Sequence, residues 1–238
     1  MTNAQLTETL PDPGRADSGV VLASEWTVPA DRQRAAADAA LRAWDRHPLP
    51  DGLLSHSVYT STDGERVLHY SQWTDTGAVA RFRETDPARQ REILAEVPEI
   101  ERHGVDDYTL YRGGRTEGDT RVAGIIVLVT MIFDGPDPAR QREWVDSVFA
   151  ALDADRAGGT LPEGGIAAYF HTSNDGVKVI NYAEWETEQH HIDALAAPGD
   201  GIGSPSPLWH RVQNFPGNVG GSVRRYHHVG TVSAAPAG

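Results

Sequence analysis

The chain has 238 residues, 34 acidic against 21 basic side chains, no cysteine and a formal charge of −13. Nucleic acid is excluded as a partner, because phosphates need a basic surface, and an anionic membrane face is excluded for the same reason. Without cysteine there are no disulfides, no thiol nucleophile and no cysteine-ligated metal.

In chain order, residues 1–18 are polar and are expected to form a disordered tail. They lack the basic and apolar segments of a secretion signal. No run of about 18 apolar residues follows to cross a bilayer, so a cytoplasmic protein is expected. GVVLASEWTV, Gly19 to Val28, predicts a strand. Arg32 to Trp44 predicts a helix, with Ala37, Ala40, Leu41 and Trp44 at helical spacing. Leu53 to Thr62 and Glu65 to Trp73 flank Asp63-Gly64 and predict a hairpin. Helical segments follow to about Val97, with Asp86-Pro87 as an N-cap and first-turn pair. Val105 to Arg112 then closes as a strand, and GGRTEGDT, residues 113–120, reads as a polar linker.

The same order recurs. Arg121 to Phe133 predicts a strand. A helix opens on Asp137-Pro138 and carries Trp144, Val145, Val148, Phe149 and Leu152 on one face. Ile166 to Glu186 predicts a hairpin, and a helix around Glu188 to Ala196 turns Ile192 and Leu195 inward. A closing strand lies near Ser222 to Val232, and residues 233–238 form a tail. The recurrence is also literal. DGERVLHYSQW at 63–73 returns as DGVKVINYAEW at 175–185, and PLPDG at 48–52 returns as TLPEG at 160–164, both at an offset of 112. DRQR at 31–34 resembles ARQR at 139–142. Ordered matches of this kind point to a duplication.

Each copy reads β-α-β-β-α-β, the ferredoxin-like order of an α+β fold. The expected domains are 19–112 and 121–232. The helix-free face of each sheet needs cover. The expectation is therefore two units packed sheet to sheet, an intramolecular pseudo-dimeric α+β barrel.

Strand residues alternate between faces. Val177, Val179, Asn181, Ala183 and Trp185 share one face, as do Val67, His69, Ser71 and Trp73 in the first copy. A tryptophan there is ordinarily core. A buried amide is different, because leaving it unpartnered costs about 1–3 kcal/mol. Asn181 therefore asks for a partner, water or a ligand. The pairs His190-His191 and His227-His228 do not read as a metal site, since neighbours point about 100° apart on a helix and to opposite faces on a strand. No glycine-rich dinucleotide fingerprint is present. The Gly- and Pro-rich segment 197–221 is expected to border the second copy's pocket.

The repeated unit, with Asn-x-x-x-Trp on its third strand, resembles the antibiotic biosynthesis monooxygenase family. Members are dimers of such units, so the chain resembles a fused pair, with a homodimer of fused pairs as a further expectation. The resemblance implies oxidation of anthrones or dihydroquinones of aromatic polyketides to quinones by O2, with no cofactor and no metal. It implies catalytic roles for Asn181 and Trp185. His171 resembles a pocket histidine of the family and is the candidate base; Tyr169, on the same strand face, is a candidate hydrogen-bonding partner of substrate. In the first copy Trp73 matches and His69 stands where the Asn belongs, and both are candidate substrate contacts. The expected partners are a small aromatic substrate and O2. The alternative is a non-catalytic ligand-binding barrel or a polyketide cyclase of the same fold. A haem-degrading relative would need a histidine about where Arg83 and Leu195 stand.

Overall fold

The computed structural model describes residues 4–85, 87–199, 202 and 204–234. Asp86, the expected cap of the third helix, lies outside the described residues. In chain order the elements are β1 (Ala4–Thr7), β2 (Val20–Thr27), α1 (Gln33–Arg46), β3 (Leu53–Ser61), β4 (Arg66–Trp73), α2 (Thr76–Thr85), α3 (Pro87–Glu96) and β5 (Glu101–Arg115). Then come β6 (Ile125–Phe133), α4 (Pro138–Gly158), β7 (Gly165–Ser173), β8 (Lys178–Trp185), α5 (Glu188–Ala196), α6 (Pro207–Gln213) and β9 (Asn218–Ala234). No described helix is long and apolar enough to cross a membrane. The chain divides into two compact units, Met1–Thr109 with Tyr226–Gly238, and Leu110–Arg225.

The first unit is an antiparallel sheet in the order β1-β9-β3-β4-β2-β5, using the Tyr226–Ala234 part of β9. Helix α1 lays a stripe of small residues, Ala36, Ala37, Ala40 and Ala43, against a core that includes Val58, Val67 and Trp73. Alanine favours the helix and lets it approach the sheet closely.

The second unit is the sheet β5-β7-β8-β6-β9, using Leu110–Arg115 of β5 and Asn218–Arg225 of β9. Its long helix α4 starts where expected: Asp137 caps it by accepting hydrogen bonds from the Ala139 and Arg140 backbone N–H groups, and Pro138 opens its first turn. Gly159, with φ 68°, ends it in the left-handed conformation that favours glycine. Trp144, Val145 and Val148 pack on Phe170 and Val179 of the sheet.

The two hairpins are built alike. Asp63 accepts from Ser61 Oγ and the Glu65 N–H, and Asp175 accepts from Ser173 Oγ and the Val177 N–H. Gly64 and Gly176 follow at φ 84° and 81°. A helix glutamine then locks each hairpin. Gln33 Nε2 reaches Ser61 and the Arg66 carbonyl, and Gln141 Nε2 reaches Ser173 and the Lys178 carbonyl. A Cβ at Gly176 would sit 3.1 Å from the Asp137 nitrogen and in left-handed backbone. Gly176→Ala is expected to cost about 1–2 kcal/mol, read as a lower urea midpoint at unchanged slope.

Five expectations need correction. Ile192 and Leu195 of α5 do not turn inward: both are exposed, and His191 and Ala194 are its buried positions. Ala4–Thr7 is not a loose tail: it pairs with Thr231–Ala234, because the edge of β9 offers unpaired backbone groups there. Residues 113–115 are not linker but the end of β5. A Cβ on Gly113 would lie 2.6 Å from the Tyr169 Cα, so only glycine permits that approach. Ser233 and Ala234 belong to β9 rather than to a tail. The segment 197–221 contains helix α6, capped by Ser206 with Pro207 in its first turn.

Candidate functional site

In the second unit, the sheet face carrying Asn181 is the one that α4 and α6 cover. The register pairs Asn181 with Phe170 and with Val129, so those side chains share its face. Phe170 in turn meets Trp144 and Phe149 of α4 edge-on at 6.1 and 5.4 Å. The helices do not fill the space over β8, where Ala183 and Ala168 are small. A cavity of about 410 Å³ remains. Its walls are mainly apolar, from Val127, Val129, Val148, Phe149 and Leu152.

Asn181, Trp185 and His191 bring polar groups to this cavity from one end of β8 and from α5. Asn181 is 9 % exposed, and its Oδ1 is buried with no hydrogen-bond partner. Trp185 is buried and stands edge-on to His191, ring centres 4.9 Å apart. His191 is buried and accepts at Nδ1 from Arg225 Nε at 2.9 Å. That bond leaves the ring proton of the neutral histidine on Nε2. Burial, and then the Arg225 charge, push its pKa down to about 4, so the neutral form is held at ordinary pH. At the cavity wall Glu184, itself buried, pairs with Arg115.

The segment after α5 supplies the remaining wall. Trp209, Val212 and Ile202 line the cavity. Asp155 of α4 fixes that segment: its carboxylate accepts from Trp209 Nε1 at 2.7 Å, the Ser204 N–H at 3.1 Å, Ser204 Oγ at 2.5 Å and Thr160 Oγ1 at 3.1 Å. The Trp144 indole adds a bond to the Val212 carbonyl at 3.2 Å.

No known family profile matches the sequence, and no curated protein matches it. Among solved structures, an anthrone oxidase-like protein is similar over 92 % of this chain and 95 % of its own, with a TM-score of 0.71 at 16 % identity. A protein of Fusobacterium nucleatum put forward as a monooxygenase is similar over 92 % of this chain and 96 % of its own, with a TM-score of 0.55 at 11 % identity. Another, from Lactobacillus acidophilus, is similar over 91 % and 96 %, with a TM-score of 0.53 at 10 % identity. The chain has the fold of these proteins.

Within this fold the sequence-based candidates separate. Asn181 and Trp185 meet in the second unit's cavity. His171 and Tyr169 do not join them. The hairpin register pairs His171 with Ile180 and Tyr169 with Tyr182, so both lie on the opposite sheet face from Asn181. His171 is fully buried there with its Nδ1 on the Tyr169 carbonyl at 3.0 Å, and burial lowers its pKa to about 4. The histidine that does reach Asn181's cavity is His191; nothing in the residue order alone favours it over His190. In the first unit Trp73 is core rather than cavity: it is fully buried against Phe82, with its indole N–H donated to Ser71 Oγ at 2.9 Å. His69 lines a separate cavity in that unit.

Proposed function

We propose that this cytoplasmic chain is a tandem of two antibiotic-biosynthesis-monooxygenase-like domains. On this reading the second domain oxidises an anthrone- or dihydroquinone-type polycyclic aromatic to a quinone with O2 and no cofactor. One observation carries the reading: Asn181, whose buried Oδ1 has no hydrogen-bond partner, lines a mainly apolar cavity of about 410 Å³. A desolvated amide left unpaired is costly unless something arrives to pair with it. The cavity volume falls in the range of roughly 300–1,000 Å³ typical of small-molecule sites. The likeness to an anthrone oxidase-like structure supports the choice of substrate class.

The chemistry asks little of the protein beyond placement and charge stabilisation. Loss of a proton from the ring CH2 of an anthrone places negative charge on its keto oxygen. The anion passes one electron to O2, the resulting radical pair joins as a C–O bond, and the peroxide anion takes up a proton in place of the one the CH2 gave up. The hydroperoxide then loses water with the second CH2 hydrogen. One oxygen atom ends as the new carbonyl and the other as water, so electrons and atoms balance. Asn181 and the His191 Nε2–H are the donors for the charged oxygen, and Asn181 Oδ1 takes a substrate hydroxyl. Trp185 and Phe149 present flat walls to the rings. Apolar surroundings admit O2 and keep water from the anion.

The test is direct. Purified chain is mixed with a tricyclic anthrone in air-saturated buffer, and O2 uptake and quinone absorbance are followed together. The expected result is turnover above buffer with one O2 consumed per quinone. A rate equal to buffer overturns the oxygenase reading, and saturable binding without turnover would make the second domain a carrier.

A further inference from the structure

The first unit holds a cavity of about 250 Å³, lined by His56, His69, Trp26, Trp44 and Phe82 among others. At its base His69 Nδ1 lies 3.2 Å from His56 Nε2. Both histidines are 5 % exposed. His69 packs against Trp26 with ring centres 3.8 Å apart, and His56 stacks on Trp44 at 4.1 Å. The two outer nitrogens, His56 Nδ1 and His69 Nε2, are buried and have no partner.

The tautomers of this pair are constrained. Burial, together with nearby positive charge, holds both rings neutral, with His69 lowered to about 3. Each neutral ring carries one proton, and one proton must occupy the 3.2 Å contact. If His69 donates it, His56 Nδ1 is left as a bare N–H and His69 Nε2 as a bare acceptor. If His56 donates it, the roles reverse. Either way the histidine pair that lines the cavity carries one unsatisfied donor and one unsatisfied acceptor. A hydroxyl can give and take a hydrogen bond, so it is the group that suits either end in either arrangement.

The rest of the lining adds sign and size. None of the described lining residues is acidic. Arg89, buried over the Trp44 ring at 4.0 Å, and Arg102, at the exposed end of β5, both border the space. Arg83 pairs with Asp107, and Arg89 also donates to the Pro48 carbonyl at 3.1 Å. The volume is below the roughly 300 Å³ at which drug-sized sites begin, so the occupant is small. In the second unit, the positions of His56 and His69 at the offset of 112 are held by Ala168 and Asn181, so the two cavities cannot read the same polar group.

We propose that the first unit carries its own binding site, separate in ligand from the Asn181 cavity, for a one- or two-ring aromatic bearing a hydroxyl beside an anionic group. The His56–His69 pair reads the hydroxyl, Trp26 and Trp44 hold the ring, and Arg89 and Arg102 balance the charge. The proposal stands whether or not the second unit is an oxygenase.

The experiment titrates 1-hydroxy-2-naphthoate into the full chain labelled with ¹⁵N at histidine, with the His56 and His69 ring signals assigned from His56→Gln and His69→Gln. The expected result is saturable movement of the His56 Nδ1 and His69 Nε2 signals. In His56→Leu/His69→Leu, affinity at this site is expected to fall at least about tenfold, the equivalent of one good hydrogen bond. Movement confined to His191, or unchanged affinity in the double variant, overturns the proposal. The wild-type spectra decide the question on their own if the double variant does not fold.

Discussion

Asn181→Ala is expected to lower kcat/KM for anthrone oxidation by about 10²–10³-fold, the usual effect of removing one well-placed donor to a developing oxyanion. The same substitution is expected to leave thermal stability unchanged or to raise it. Asn181 Oδ1 makes no hydrogen bond in the folded chain, so its loss removes an uncompensated burial of about 1–3 kcal/mol rather than a stabilising contact. The carboxamide removed belongs to a residue that borders an existing cavity, which limits the packing loss. Opposite movement of activity and stability distinguishes a substrate-binding amide from a structural one. Oxygen-electrode rates paired with thermal unfolding of both proteins measure it. A variant that loses stability and retains full activity would show that Asn181 is part of the scaffold instead. Asn181→His, which writes in the residue found at 69, is expected to be as slow as the alanine variant, because an imidazole cannot offer a donor and an acceptor from one planar end.

Asp155→Ala is expected to weaken the second unit by about 2–3 kcal/mol, the range for hydrogen bonds to a charged group in a buried site. Asp155 is 3 % exposed and its two oxygens accept from Trp209, Ser204 and Thr160. Removing it leaves the indole N–H of Trp209 and the Ser204 N–H unpaired at the point where α6 joins α4. The loss is expected to be local. Amides of 204–213 should exchange faster while those of β7 and β8 keep their protection. Because Trp209 forms part of the cavity wall, KM is expected to rise more than kcat falls. The pH dependence has a fixed sign. Burial raises the Asp155 carboxyl, but the hydrogen bonds from Ser204, Trp209 and Thr160 outweigh it and leave the pKa below its ordinary value. A carboxyl lowered by folding contributes stability that is complete above its unfolded pKa and fades as pH falls through the folded one. The wild type should therefore lose protection of 204–213 on acidification, and Asp155→Ala should show no such step. An equal step in both proteins would place the titrating group elsewhere.

Much of the local structure was legible because its causes are local. Asp-Gly at 63–64 and 175–176 announced the hairpins, since the carboxylate closes the turn on neighbouring N–H groups and glycine takes the positive φ. Asp137-Pro138 announced α4 for the same kind of reason. The recurring RQR also had meaning, although the sequence could not say what: Gln33 and Gln141 each tie a helix to a hairpin 28 and 32 residues away. What failed was parity. The family resemblance places His171 and Tyr169 in the same pocket as Asn181. The observed register instead pairs Phe170 with Asn181, and a single residue of register moves a side chain to the other face. Both hairpins share this register, Val58 facing His69 as Phe170 faces Asn181, and the pairing of strands fixes it rather than a count along either one.

His56 and His191 were missed for a related reason. Each becomes notable only through a partner far along the chain: His56 through His69, and His191 through Arg225, 34 residues later. The sequence by itself determined the alternation that puts Asn181, Ala183 and Trp185 on one face, the turns that fold each strand pair, and the strand, helix and hairpin that open each repeat. Those are consequences of backbone geometry between neighbours. Tertiary structure alone decided that α4 and α6 cover that face without filling it, and which histidine borders the space. Cavities are what close packing leaves over, and that remainder depends on side-chain volumes brought together from across the chain.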